Sequence, residues 1–298
     1  MNRRDFLALC GAAGASLAAP GRKPTVAAHP WVYAATLPKN DITPVLPQIF
    51  ADMSWAGMEA IELMHTALVP DDSMDRIGEL SRKHNLPVIG MSFSANMWSR
   101  ESHSAILDQA AVLIPRLAKL GGRLMGTSVG TGGKPCCAPA PGQLKTPEML
   151  DAQADLLRKL VSVCASNGIV LNLHNHVYEV DNDEQDLKGT LARIPDVKLG
   201  PDLNWLVRAR VDPVDFIRRY GSRIVYAHLR DQKADGKWCE AMGEGDTDYA
   251  AIGRAMRAIP FTGDVAIELA HENGFKPTRS LRESLKISRE YVRRVMGW

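Results

Sequence analysis

The sequence predicts a single-domain (β/α)8 TIM barrel, and three observations predict it. Eight short apolar runs recur along the 298 residues, and each is followed by a stretch with helical character. Several of the runs are apolar almost throughout, as strands are when both faces are buried in a parallel sheet. Eight alternating strand and helix units in a chain of this length suit a closed barrel. A doubly wound open sheet is the competing arrangement, but no G-x-G-x-x-G motif follows the first strand.

Residues 1–21, "MNRRDFLALCGAAGASLAAPG", stand apart, and the barrel is assigned to residues 22–298. A basic start, a short apolar stretch and small residues near the end form the pattern of a secretory signal. Arg3 and Arg4 followed by Phe6 and Leu7 resemble the twin-arginine export motif. Cleavage after Ala18 fits the small-residue rule, and the mature protein is then expected in the periplasm.

The strands are expected at "WVYAATL" (31–37), "AIELMH" (60–65), "PVIGMSF" (87–93) and "RLMGTSVG" (123–130). They continue with "IVLNLHNH" (169–176), "VKLGPDL" (197–203), "IVYAHLRD" (224–231) and "DVAIELA" (264–270). Between them lie helical patterns such as "SMDRIGELSRKHN" and "MLDAQADLLRKLVSVCASNG", the second ending on Asn167-Gly168, a helix-stopping pair. The Gly/Pro-rich stretch from about 130 to 145 follows the fourth strand and is expected over the barrel mouth.

With 36 basic and 34 acidic side chains the formal net charge is +2. That balance gives no electrostatic reason to expect nucleic acid as a partner. No apolar run approaches the roughly 18 residues of a membrane span, so no membrane association is expected once the signal is removed. Cys136, Cys137, Cys164 and Cys239, which remain after such removal, match no zinc spacing. The adjacent Cys136 and Cys137 are left undecided between loop thiols and a disulfide.

In a barrel the chemistry sits at the C-terminal ends of the strands. There the fifth strand offers His174 and His176, the sixth Asp202, the seventh His228 and the eighth Glu268. Residues two apart share a face of a strand. His174 therefore aligns with Asn172 and His176, His228 with Tyr226 and Arg230, and Glu268 with Ala266 and Ala270. An acidic residue inside "VAIELA" is costly to bury unpaired, and metal coordination or a structural salt bridge removes that cost. Imidazole plus carboxylate suits Mn²⁺, Zn²⁺, Co²⁺ or Fe²⁺ rather than Mg²⁺ or Ca²⁺. His174, Asp202, His228 and Glu268 are the candidate ligands of one divalent ion.

On these residues the chain resembles the xylose isomerase-like barrel family of sugar isomerases, sugar epimerases, inosose dehydratases and endonuclease IV. "HLRD" is similar to the family's H-x-K-D, and "GEGDTDY" (243–249) to its G-x-G-x-x-D segment. The resemblance implies one divalent metal held by Glu, Asp, His and Glu, with Asp202, His228 and Glu268 on the last three positions. His174 stands where a Glu is usual, so the chain looks like an exported variant with H-N-H in place of E-N-H. The implied chemistry is proton removal beside a carbonyl with a metal-stabilised enediolate, Glu268 acting as base. His176 is a second catalytic or substrate-binding candidate. Read from the strands themselves, Arg230 is inward by parity and either binds a substrate hydroxyl or pairs with Asp202 or Glu62, and Glu62 is either a substrate contact or a salt-bridge partner.

One strong base suits aldose–ketose isomerisation, or β-elimination from a 3-keto-glycoside. A non-catalytic sugar-binding protein is a further alternative, and a homo-oligomer is compatible with any of these. An endonuclease IV-like role needs a D-x-x-H pattern, and Trp205 occupies that His position. The implied partner is a small carbohydrate.

The export reading has a direct test. Replacing Arg3 and Arg4 by Lys should trap the precursor in the cytoplasm, read by fractionation and precursor size, and unchanged export would remove the twin-arginine reading.

Overall fold

A computed structural model of the chain describes residues 22–131 and 144–298. The export segment expected at residues 1–21 and the Cys136–Cys137 pair lie outside the described residues.

Eight parallel strands form the sheet: β1 (Val26–Ala28), β2 (Ala60–Met64), β3 (Val88–Ser94), β4 (Leu124–Ser128), β5 (Val170–Leu173), β6 (Lys198–Leu199), β7 (Tyr226–Leu229) and β8 (Asp264–Ile267). Sequential strands pair from β1 to β6, and β1 also pairs β8, which pairs β7. The seam between β6 and β7 is closed by two single bridges, Leu199↔Ile224 and Asp202↔His228. The result is the expected TIM barrel, in a single domain.

The structure corrects the first strand. Residues 31–37 were expected to be extended, but the strand is Val26–Ala28, and Trp31–Ala34 makes one helical turn, α1. Pro30 explains the shift. It has no N–H to offer a ladder and its ring fixes φ, so the strand stops before it, and its carbonyl accepts from Tyr33 N to start the turn. The β-prone side chains of Trp31, Val32 and Tyr33 are overruled by that backbone.

Helices cover the outside of the sheet: α2 (Leu46–Trp55), α3 (Ser73–His84), α4 (His103–Lys119), α5 (Pro147–Ser166) and α6 (Val177–Arg193) follow β1 to β5 in turn. After β6 come α7 (Leu203–Arg208) and α8 (Pro213–Tyr220), then α9 (Tyr249–Ala258) after β7 and α10 (Leu281–Met296) after β8. Their starts carry the expected caps. Thr146 Oγ1 accepts from Met149 N, with Pro147 in the first turn, and Ser280 with Glu283 forms a capping box on α10. No helix among the described residues is long and apolar enough to cross a membrane.

The main core lies between strands and helices, where Phe50, Ile61, Leu63, Leu157 and Phe216 are fully enclosed. A separate small cluster plugs the barrel lumen: Ala27, Ala60, Ile89, Leu124, Tyr226 and Ala266. Above that plug the lumen turns polar, and Gly200 makes the room. A Cβ on Gly200 would stand 1.9 Å from Asn172 Oδ1, and one on Gly126 would make ordinary contact with Glu62 and Asn172.

Gly200→Ala is therefore expected to overpack the lumen and destabilise the fold by about 1–3 kcal/mol. Urea denaturation measures this, and an unchanged midpoint would mean that the lumen relaxes freely around Asn172.

Candidate metal centre

The four expected ligands are positioned by backbone before any ion is considered. His174 follows β5 directly, and its N–H donates to Thr127 O at 2.9 Å. Glu268 follows β8, with its N–H on Leu229 O at 2.9 Å. His228 lies within β7, and its N–H donates to Pro201 O across the seam. Asp202 caps α7: its Oδ1 accepts from Asn204 N at 2.9 Å and Trp205 N at 3.1 Å, which leaves Oδ2 for the barrel axis. The middle residue of His174-Asn175-His176 locks the sixth position to the fifth. Asn175 Oδ1 accepts from Asp202 N and its Nδ2 donates to Asp202 O.

Ligand atoms of His174, Asp202, His228 and Glu268 all lie within 4.8 Å of one another. Around them runs a buried ion-pair network. His228 Nδ1 is 2.5 Å from Glu268 Oε2, and His228 Nε2 is 2.6 Å from Glu62 Oε2. Arg230 Nη2 reaches both Asp202 Oδ2 at 2.6 Å and Glu268 Oε1 at 2.9 Å. Burial alone would push the His228 pKa down, but the charges of Glu62 and Glu268 and the bonds to them outweigh it and hold the pKa at about 10. Burial would likewise favour neutral Glu268, yet Arg230, His29 and His228 keep its carboxyl well below the usual range. Burial and the neighbouring His228 and His176 keep His174 a neutral imidazole.

The donor set fits a divalent ion. Two carboxylates, whose inward oxygens are shared with Arg230, and one neutral imidazole supply donor atoms, and the second imidazole, His228, has to give up a proton. Glu62, Asp202 and Glu268 against Arg230 leave two negative charges when both ligand histidines are neutral, which one divalent cation balances.

A cleft of about 620 Å³ opens over the cluster. His174, His176, His228, Arg230 and Glu268 all line it, together with His65, Trp31, Trp205, Trp238 and Arg208. His176 lies with Nδ1 3.2 Å from both Ser128 Oγ and Tyr178 OH. Glu62 does not line the cleft: it is 1% exposed, beneath His228. Sequence reasoning missed His29, at the end of β1. Its Nδ1 accepts from Trp31 N, its Nε2 is 2.8 Å from Ser92 Oγ, and it lies 3.8 Å from Glu268. The signal was "VAAHP", an apolar triplet ending in His before a Pro, hidden by placing the strand too late. It also missed the wall in which Arg208 stacks 4.3 Å over Trp238, with Trp205 edge-on to that indole.

Comparison with known proteins agrees with this geometry. Residues 50–291 match the xylose isomerase-like TIM barrel family. The fold is similar to that of an L-ribulose 3-epimerase, with TM-score 0.71 and 19% identity over 92% of this chain and 95% of that one. It is also similar to a 3-keto-D-glucoside 4-epimerase from E. coli, with TM-score 0.69 and 18% identity over 90% and 100% of the two chains. A sugar phosphate isomerase/epimerase from Parabacteroides distasonis superposes with TM-score 0.67 and 15% identity over 94% and 97%. At these identities the likeness shows the shared fold. A search of curated proteins finds no match.

The His228 proton gives a pH prediction. Its folded pKa of about 10 lies above the ordinary 6.5, so between those values the folded chain holds a proton that the unfolded chain does not. The stability this supplies is complete below pH 6.5 and is lost as pH rises to about 10. Urea midpoints of chelator-treated protein should fall across that window. Because a ligand imidazole must be neutral, Zn²⁺ uptake at pH 8 should release about one proton, read by calorimetry in two buffers of different ionisation enthalpy. No release would show that His228 is not the proton carrier.

Proposed function

The chain belongs to the xylose isomerase-like TIM barrel family, and we propose that it is a divalent-metal-dependent sugar isomerase or epimerase. Proton removal beside a carbonyl is the proposed step. The observation that carries this reading is the convergence of His174, Asp202, His228 and Glu268 at the floor of an aromatic-walled cleft. The ion, taken as Mn²⁺, Zn²⁺, Co²⁺ or Fe²⁺, would supply positive charge to the substrate's carbonyl and hydroxyl oxygens, which acidifies the adjacent C–H.

The chain's own residues divide the remaining work. Glu268 is the proposed base. While His228 keeps its Nδ1 proton, the 2.5 Å bond holds Glu268 Oε2 as a weak base. Loss of that proton removes the donor and raises the basicity of the carboxylate, which suits it to take a proton from carbon. Arg230 stays on Asp202 and Glu268 and lines the cleft, where its guanidinium would meet a substrate oxygen. His176 meets the substrate from the β5 side, held at Nδ1 by Ser128 and Tyr178. Trp31, Trp205 and Trp238 enclose the sugar's apolar faces.

A second reading is β-elimination from a 3-keto-glycoside. The cleft of about 620 Å³ falls within the roughly 300–1,000 Å³ usual for small-molecule sites and so has room for a glycoside. Glu268 would take the C2 proton, that electron pair would form the C1=C2 bond, and the C1–O bond would break as the leaving alkoxide takes up a proton. A location in the periplasm belongs to the same proposal and is supported by the twin-arginine-like segment alone.

Elemental analysis of protein prepared without added metal should find about one divalent ion per chain, and chelation should stop turnover. In deuterium oxide with D-fructose or a 3-keto-glucoside, the wild type should exchange or eliminate the proton beside the ketone. Glu268→Gln should slow this by roughly 10²–10⁴-fold, and His176→Ala by less. Exchange that survives in Glu268→Gln and vanishes in His176→Ala would make His176 the base. A wild type that binds these sugars without exchange would favour the non-catalytic alternative.

A further inference from the structure

Glu62 is a buried acid that the proposed mechanism does not use. It lies on β2, 1% exposed and away from the cleft. Directly below it the lumen is floored by Ala27, Ala60, Ile89, Leu124 and Ala266, where an unpaired carboxylate is expensive. The barrel nevertheless accommodates it with care. Gly126 lies beside it, a Cβ there standing 3.4 Å from Glu62 Oε1, at ordinary contact. Tyr226 OH donates to Oε2 at 3.1 Å, and His228 Nε2 lies 2.6 Å from the same oxygen.

We propose that Glu62 is a positioning residue for His228: by accepting the Nε2–H it fixes the imidazole with Nδ1 towards the metal cluster. The inference rests on the metal reading of that cluster. Both ring nitrogens of His228 face a carboxylate, but the two carboxylates differ. Glu268 is itself one of the grouped ligands, whereas Glu62 is not in the group whose atoms lie within 4.8 Å. The Nε2 side is therefore closed off by a hydrogen bond that an ion does not compete for, and Nδ1 is the nitrogen left to the ion. A carboxylate behind a ligating imidazole holds the ring's orientation and makes its free nitrogen a better donor. Glu62 also offsets the guanidinium of Arg230, which bridges the two anionic ligands. With Glu62 the group carries two negative charges, and without it one. Tyr226 OH donates to the same Oε2 and helps hold the Glu62 carboxylate in place.

The test uses Co²⁺ affinity of the chelator-treated full protein, measured by competition with a chromophoric chelator. Glu62→Gln keeps the shape and an oxygen that can accept from Nε2–H, but removes the charge. It should weaken Co²⁺ binding by roughly 10–100-fold, and Tyr226→Phe should weaken it less. A spectroscopic readout stands independently of the variants. In the ¹⁵N-histidine spectrum of Zn²⁺-loaded wild type, His228 should show a metal-bound Nδ1 and a protonated, slowly exchanging Nε2. Metal on Nε2, or Glu62→Gln binding Co²⁺ as tightly as wild type, overturns the inference and leaves the metal reading intact. A wild type that binds no Co²⁺ overturns both. If Glu62→Gln does not fold, the wild-type spectrum decides alone.

Discussion

Burying three carboxylates at one end of a barrel is the constraint on which the rest depends. Glu62, Asp202 and Glu268 are all nearly sealed from water, and their desolvation is worth several kcal/mol per ion if uncompensated. Arg230 and a protonated His228 supply part of the compensation. The network leaves its charge short of neutrality by one, which is why the His228 proton is held so firmly. Exchanging that proton for a divalent ion closes the balance. The electrostatics of the cluster and its suitability for a metal are thus one fact seen from two sides.

The same residues close the barrel. β6 is two residues long, and the β6–β7 seam depends on isolated bridges, one of which pairs Asp202 with His228. Asn175 clamps the Asp202 backbone from β5, and Asp202 Oδ1 starts α7. A side chain that caps a helix with one oxygen and faces the axis with the other has little freedom to rotate. Pre-organisation of the ligands therefore costs nothing beyond what the fold already requires. Tyr226 and Gly200 serve similarly, at the level where the apolar plug ends and the polar layer begins.

Strands two to eight were legible because buried parallel strands are apolar runs with a period of two, and that period also placed His174, His228, Arg230 and Glu268 on the inner face. The first strand was not. Val26–Ala28 is too short to stand out, and the residues after Pro30 carry stronger strand propensity than the strand itself. His29 was lost with it. For Glu62 the sequence offered a substrate contact or a salt-bridge partner, and the structure seats it beneath His228 and off the cleft, a depth that strand alternation does not encode. The aromatic wall was invisible for a related reason. Trp205 reaches it from the first turn of α7, and Trp238 from a hairpin tied by the Gln232↔Trp238 bridge, and neither follows strand periodicity.

The unusual His174 becomes intelligible within this charge balance. A carboxylate at that position would bring the group to four acids against Arg230, one negative charge more than a divalent ion can offset. Neutral imidazole at residue 174 keeps the count at two while Glu62 is present. On the proposed reading, the acid usual after β5 is matched by Glu62 on β2, which would act through His228 rather than on the ion. Such a relocation leaves Glu268 as the carboxylate that both faces the cleft and is free of a helix cap, since Asp202 spends one oxygen on α7. On the proposed reading the sharing of roles follows: Asp202 would hold the ion, His228 would transmit the charge of Glu62, and Glu268 would accept the proton.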